Sequence, residues 1–567
     1  MSNAWPQRAS ASIAPPLPRA SRQGDPRPPE AVAQGQRRPR ADARHRLAHL
    51  DWPLVLAAAA STLVALVMLY WSYRSNLILA YQDSASHLNI ARRVFDSRTP
   101  GIVMLGTVWL PIPHLMLEPF VNIDALFYSG LAGSCVGLPC FVITAVMLFL
   151  SIRLIARHEV AAWAGLLVFI LNPNSLYLQT TALTEPVLLM TMTAAGYFLL
   201  RWSKSDAMSS LLIGGLLTAL AVGSRYEGWF FALSATVLIS VMVYLRWRDP
   251  ARTEGLTLAY LTFPVYAMFM WFFYNWLIFG DPLEFQHGKY SAATAQQSFA
   301  QAGLLPTKHN LGLSIMTYGW TVLDNLGGVV CAAGIVGLLI YLRATRLRSD
   351  SLIPYAFLSA FVFNVISLWA GQTVILTQHT HPAGYFNVRY GIMLLPAAAF
   401  FIGYLTDFLA TRLRVSVAAG LLILAVLGQS ALWIPHWPDS AVTIADGLHG
   451  ISAESNGQVT GIKAAAPSAL YLRTHYTGGG ILMYNGDYSW FPPEARLDMR
   501  AYIDAYSGKL WDAALRNPIP YAEWVVLHPG VETDPVAKAL SGNANFRAHY
   551  TRQFEAYGYA VYRRMRI

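Results

Sequence analysis

Apolar positions along this chain gather into long unbroken runs, with polar residues confined to the short stretches between them. The runs lie at 52–73, 126–152, 160–173, 184–202, 208–224, 227–246, 256–279, 319–343, 352–370, 389–407 and 415–434. Most reach the ~20 residues that a helix needs to cross hydrocarbon. The pattern predicts a polytopic α-helical membrane protein with about 11 transmembrane helices, with 102–121 as an interfacial or re-entrant segment. After residue 435 the pattern changes. Short apolar runs at 481–484, 524–527 and 557–563 predict strands, and 461–473 and 534–541 predict helices. The chain thus divides into a tail (1–50), a membrane domain (51–434) and a small C-terminal α/β domain (435–567).

Composition agrees. The 567 residues are 55% hydrophobic and 13% charged, against roughly 25% charged in soluble proteins, and 17 Trp and 29 Tyr suit interfacial belts. Of the net charge of +10, much lies in the tail, where nine Arg face Asp25, Glu30 and Asp42. With its Pro, Ala and Gln and no apolar period, the tail is expected to be disordered. It shows no cleavable-signal pattern, and nothing in it points to nucleic acid. Cys135, Cys140 and Cys331 fall inside apolar runs and read as small buried hydrophobes.

Charge also orients the spans. Alternate turns contain Arg153 and Arg157; Arg201 and Lys204; Arg246, Arg248 and Arg252; Arg343, Arg346 and Arg348; and Arg412 and Arg414. Each of these turns falls on the side of the tail, as the positive-inside rule requires of the cytoplasmic face. The opposite, extracytoplasmic face receives the long first loop, other large loops and the C-terminal domain. The protein is therefore expected in the plasma (inner) membrane, with its working surface outside.

That face holds the residues suited to chemistry. Tyr81-Gln82-Asp83-Ser84-Ala85-Ser86-His87 opens the first loop, and Leu88, Ala91, Val94 and Phe95 continue at the spacing of an amphipathic helix lying on the membrane. Asp83 is placed equally well to cap this helix or to act at the surface. Glu185 follows Thr184 and precedes Pro186 at the head of a span, where an acid also complements the helix dipole. Arg225-Tyr226-Glu227 fills a tight turn in which the two charges can neutralise each other. Arg389 opens another span, where a cation opposes the dipole by about 0.3–1 kcal/mol, so its position calls for an anionic partner such as a phosphate. Lys289 is a second loop cation. His379 and His381 form a weak metal-ligand pattern. Tyr488 and Trp490 suit either sugar stacking or core packing. Phosphate loops, zinc motifs and nucleophile elbows are absent.

Asp83 after the first span, Leu183-Thr184-Glu185-Pro186, Gly280-Asp281-Pro282-Leu283, and Arg389-Tyr390 ahead of Pro396 together resemble the GT-C glycosyltransferases. Among these, the chain is most similar to the protein O-mannosyltransferases and the aminoarabinose transferases of lipid A. The resemblance covers about residues 52–410. It implies a sugar moved from a polyprenyl-phosphate donor to a hydroxyl on a glycan, lipid or protein acceptor, with inversion. Asp83 would be the general base, with Glu185 beside it in the catalytic set. Arg389, Arg225 and Lys289 would bind the donor phosphate, and His87, Glu227 and Tyr390 would contact substrate. Any divalent-cation requirement stays open. Ser84 stands where protein O-mannosyltransferases carry Glu, which weakens the case for a protein acceptor. The rival reading is a polytopic transporter or lipid flippase, which would place polar residues near mid-membrane.

Overall fold

The structure is a computed structural model that describes residues 51–565 apart from 289–290, 302, 304, 434–436, 438–439, 453, 456–457, 460, 486–488 and 530–533. The Arg-rich tail, Lys289 and Tyr488 therefore lie outside the described residues. Among the described residues, seven helices are long and apolar enough to cross a bilayer: Trp52–Arg74, Leu131–Arg153, Glu227–Trp247, Pro250–Phe279, Gly328–Thr345, Val388–Arg412 and Val415–Trp433. Glu159–Ile170, Met208–Val222 and Ile353–Trp369 are shorter apolar helices, and Glu185–Ser205 occupies the fourth predicted segment.

The predicted segment 319–343 is divided. Helix Leu311–Leu326 ends at Gly327, and Gly328–Thr345 begins anew. Gly327 has φ +83°, and a Cβ there would lie 2.1 Å from the Gln429 side chain. Both the turn and the close approach require glycine. Gln429 fills the space, and its Oε1 accepts from Val329 N at 3.1 Å, capping the new helix.

One end of the bundle carries the basic turns. Arg153 pairs with Glu159 (3.0 Å), Lys204 with Asp350 (3.0 Å) and Arg246 with Asp206 (2.8 Å). Asp407 accepts from Arg157 N at 2.8 Å and His158 N at 3.0 Å, closing the turn before Glu159–Ile170. Asp83, Glu185, Arg225 and Arg389 all fall at the other end.

The C-terminal segment packs on that second end. Its five-stranded sheet runs Tyr502–Ile503, Ile481–Leu482, Trp524–Leu527, Tyr559–Arg564, Tyr550–Ala556. The first three are parallel and the last two antiparallel. Helix Gly461–His475 covers one face, so that Ile481, Met483, Trp524 and Val561 share a core with Leu88, Ala91, Val121 and Phe127 of the first loop.

Trp490 locks the two together. Buried at 6% exposure, it donates from Nε1 to Leu79 O at 2.7 Å. Next to it, Ser489 O accepts from Asn89 Nδ2 at 2.8 Å, and Ser489 Oγ meets Ser86 Oγ at 2.6 Å. Core packing, one of its two predicted uses, accounts for this tryptophan. Trp490→Ala is expected to cost about 3–5 kcal/mol and to free residues 79–93. Hydrogen exchange that stays as slow there as in the wild type would contradict this.

Candidate active site

Helix Gln82–Arg93 follows the first span, and its N-cap is Tyr81, without a side-chain cap bond. Asp83 is thus inside the first turn and does not cap it, which settles that alternative. Its neighbour Ser84 is buried and ties the helix down: Ser84 Oγ donates to Ile78 O at 3.3 Å and accepts from Ala182 N at 3.0 Å. The segment carrying Ala182 leads into Glu185. It lies against helix Leu131–Arg153 at Gly137, where a Cβ would meet Gln179 O at 2.2 Å.

The acids and bases that the sequence scattered over 300 positions converge here. Arg389 donates from Nη2 to Asp83 Oδ2, and from Nε to Glu185 Oε1 at 3.0 Å. Arg225 Nη1 reaches the same Glu185 oxygen at 2.9 Å and Thr184 Oγ1 at 2.9 Å, while its Nη2 reaches Glu227 Oε1 at 2.9 Å. Thr184 therefore serves Arg225 and does not cap its helix. The Tyr390 ring lies 4.8 Å from Arg225 and 5.2 Å from Arg389, and the Tyr81 ring lies 5.1 Å from Arg389. Aromatic faces at these distances attract guanidinium groups.

Exposure separates the members. Side-chain exposure is 37% for Asp83, against 6% for Arg389, 3% for Glu227 and 0% for Glu185. Asp83 is the carboxylate that an outside molecule can reach. Glu185 and Glu227 are sealed among the arginines they pair with. His87, expected to touch substrate, is also buried, because its Nδ1 faces His114 Nε2 at 2.9 Å. Burial drives the His87 imidazole down to about 3 and His114 well below its ordinary value, so the pair is neutral near pH 7.

Arg389 has the anionic partners its position called for, but they are carboxylates of the chain itself. It also sits in a 3-10 lead-in, Val388–Leu394, ahead of the α-helix Leu395–Arg412. Gly391 lets this lead-in rest on helix Leu311–Leu326, where a Cβ would be 2.2 Å from Thr321 O. Asn325 of that helix donates to Val388 O at 2.6 Å and accepts from Thr443 Oγ1 at 3.1 Å.

Sequence reasoning missed Asp446, on helix Val442–Ser452. The Tyr81 hydroxyl lies 2.9 Å from both Thr443 O and Asp446 Oδ2. A phenol has one proton, so both contacts are satisfied together when the Asp446 carboxyl is protonated and donates to Tyr81. Burial pushes that carboxyl up to about 6, against the lowering pull of Arg389. Between its usual value and about 6, folded protein holds a proton that unfolded chain has released. The stabilisation is complete below the usual carboxylate range and is lost as pH rises through about 6. Asp446→Asn keeps a donor towards Tyr81 and removes the charge. Its melting temperature is expected to gain on the wild type between pH 5 and 7, by the equivalent of about 1 kcal/mol. Parallel melting curves across that range would contradict this.

Among the described residues, no group of three or more His, Cys, Asp or Glu is arranged to hold a metal ion. Asp281, in the Gly280-Asp281-Pro282-Leu283 loop, pairs loosely with His287 at 3.4 Å.

No family model and no curated protein matches this chain in sequence. Its fold is similar to that of ArnT from Cupriavidus metallidurans, solved bound to undecaprenyl phosphate. The TM-score is 0.57 at 14% identity, covering 90% of this chain and 97% of that one. An Archaeoglobus fulgidus oligosaccharyltransferase, solved tethered to an acceptor peptide containing the NVT sequon, matches at TM-score 0.46 and 11% identity, over 91% of this chain and 74% of that one. The long apolar helices, the site at one end of them and the similarity to ArnT along nearly its whole length lead to one conclusion: the chain has the GT-C fold.

Proposed function

We propose that the protein is a membrane glycosyltransferase that moves a sugar from a polyprenyl-phosphate donor to an acceptor hydroxyl, with inversion. The observation that carries this reading is the contact of the accessible Asp83 with the buried, doubly held Arg389. Asp83 takes the proton from the hydroxyl as its oxygen attacks the anomeric carbon. The departing lipid phosphate is a stable anion, so it needs donors and positive charge and no protonating acid. One reachable carboxylate then suffices, whereas a glycosidase needs two flanking the bond.

The ion pair gives the order of events. Without donor, Arg389 Nη2 holds Asp83. An arriving phosphate competes for that nitrogen and releases the carboxylate towards the acceptor. Glu185, shared between Arg389 and Arg225, keeps both guanidinium groups in place. Glu185 and Glu227 also neutralise the two arginines, so the phosphate draws on directed hydrogen bonds and a further cation, for which Lys289 is the chain's candidate.

The undecaprenyl phosphate bound by ArnT agrees with a donor of this class. So does the location of the site at the span ends, where a phosphate meets water while its prenyl chain stays in hydrocarbon. A transporter pathway would instead need charges along the spans. Basic turns at the opposite end support a site outside the cytoplasm, in a protein of the plasma (inner) membrane.

The test supplies the reconstituted protein with undecaprenyl-phosphate sugars of defined anomeric configuration and with glycan, lipid and protein acceptors. Transfer with the configuration inverted is expected. Retention of configuration, or movement of intact donor across the vesicle with no transfer, would overturn the proposal.

A further inference from the structure

His379, singled out by the sequence and unused by the arginine cluster, lines a pocket of about 310 Å³. Small-molecule sites begin at roughly this volume. Its walls include Asp324, Gln378, His379, Tyr385, Gln429 and Trp433. His379 Nε2 pairs with Asp324 Oδ1 at 3.2 Å and stacks on Trp320 at 4.4 Å. Gln429, whose Oε1 accepts from Val329 N, lines the pocket beside Gly327. Among the described residues its lining contains no Lys or Arg to answer a phosphate. Amides, a carboxylate–imidazole pair and aromatic rings suit an uncharged, hydroxyl-rich head group.

Gln429 and Trp433 also border a second, apolar crevice, lined by Leu167, Leu171, Val330, Ile402, Leu422 and Val426. It runs between membrane-spanning helices, beneath the polar pocket. The crevice is small, about 50 Å³, and takes only the first methylenes of a chain whose remainder lies in the surrounding hydrocarbon; a polar pocket and an apolar crevice that share two lining residues suit the head and neck of an amphiphile.

The pocket also abuts the arginine cluster. Val442 in its wall lies one helical turn from Asp446, which bonds Tyr81. Asn325, next to Asp324, holds the carbonyl just ahead of Arg389.

We propose that pocket and crevice together bind a neutral glycolipid, sugar above and chain below. That this lipid is the acceptor rests on the transferase reading; that it binds does not.

The test is native mass spectrometry of the full-length protein in nanodiscs containing equal monogalactosyl diacylglycerol and phosphatidylglycerol. The galactolipid is expected to be retained at least tenfold over phosphatidylglycerol, and Gln429→Ala and Tyr385→Ala are each expected to reduce that retention at least fivefold. Tyr385 borders the pocket without closing a helix, so it keeps the test open should Gln429→Ala fail to fold. Preference for phosphatidylglycerol, retention unchanged in Tyr385→Ala, or equally tight binding of soluble methyl galactoside would overturn the proposal. Selective retention without sugar transfer to the galactolipid upholds the site and removes only its assignment as acceptor. Transfer to other acceptors without selective retention overturns the site and leaves the transferase reading standing.

Discussion

Asp83→Asn is expected to lower sugar transfer by roughly 10²–10⁴-fold, the usual contribution of a positioned general base. Asparagine fills the same space, and its Oδ1 can still accept from Arg389. The fold should therefore survive, and the melting temperature should stay close to that of the wild type. Removing a negative charge beside the donor phosphate should leave donor binding no weaker, since Arg389 then has one competitor fewer. Transfer assays, donor binding and melting curves on one preparation separate these effects. A variant that transfers at wild-type rate removes Asp83 from the chemistry. One that loses transfer only because it unfolds makes Asp83 a structural residue.

The other large effect belongs to Arg389. Truncation to Ala leaves Asp83 without this guanidinium and leaves the fully buried Glu185 with Arg225 as its remaining ion-pair partner. Losing one of the two hydrogen-bonded cations on a buried carboxylate costs about 1.5–3 kcal/mol, so Arg389→Ala is expected to melt early. Arg389→Lys tests the chemistry more cleanly. Lysine keeps the charge but has no fork that reaches two carboxylates at once. It should fold, and transfer should fall by roughly 10²–10³-fold, the loss seen when one donor to a developing anion is removed. Wild-type transfer by Arg389→Lys would show that the two-pronged contact carries no catalytic function. The double variant Arg389→Gln/Glu185→Gln removes both charges together. It should recover most of the stability lost in Arg389→Ala without recovering transfer.

Much of this was legible in the sequence because the membrane imposes coarse rules. Long apolar runs marked the helices, and the basic turns fixed which ends lie together. The grouping of Asp83, Glu185, Arg225 and Arg389 at one end followed from that alternation. Their pairing did not follow from it. The position of Arg389 asked for an anion, and whether a bound phosphate or the chain's own carboxylates supply one depends on helix packing that no local pattern encodes. Exposure was equally hidden: Glu185 and Asp83 look alike in sequence, yet one is sealed and the other reachable.

Asp446 joins Tyr81 across 365 positions. The one sign of it was a lone acid among Ala441, Val442, Ile444, Ala445 and Leu448, just past the last span. The break at Gly327 was masked because apolar residues continue through it and period alone does not report a turn. In the C-terminal sheet, the buried strand Trp524–Leu527 was plain as an apolar run. Tyr550–Ala556 pairs at the edge with mostly exposed side chains, and Tyr502–Ile503 has two residues, too few to show a period.

In the proposed reaction, Asp83 and Arg389 enclose the reacting end of a sugar-bearing lipid phosphate. The most direct measurement is a cryo-EM map of the nanodisc-embedded protein with a non-transferable polyprenyl-phosphonate sugar. A phosphonate oxygen is expected about 3 Å from Arg389, with the anomeric carbon facing Asp83, now released from the guanidinium. A phosphonate seated elsewhere, with the Asp83–Arg389 pair undisturbed, would contradict it.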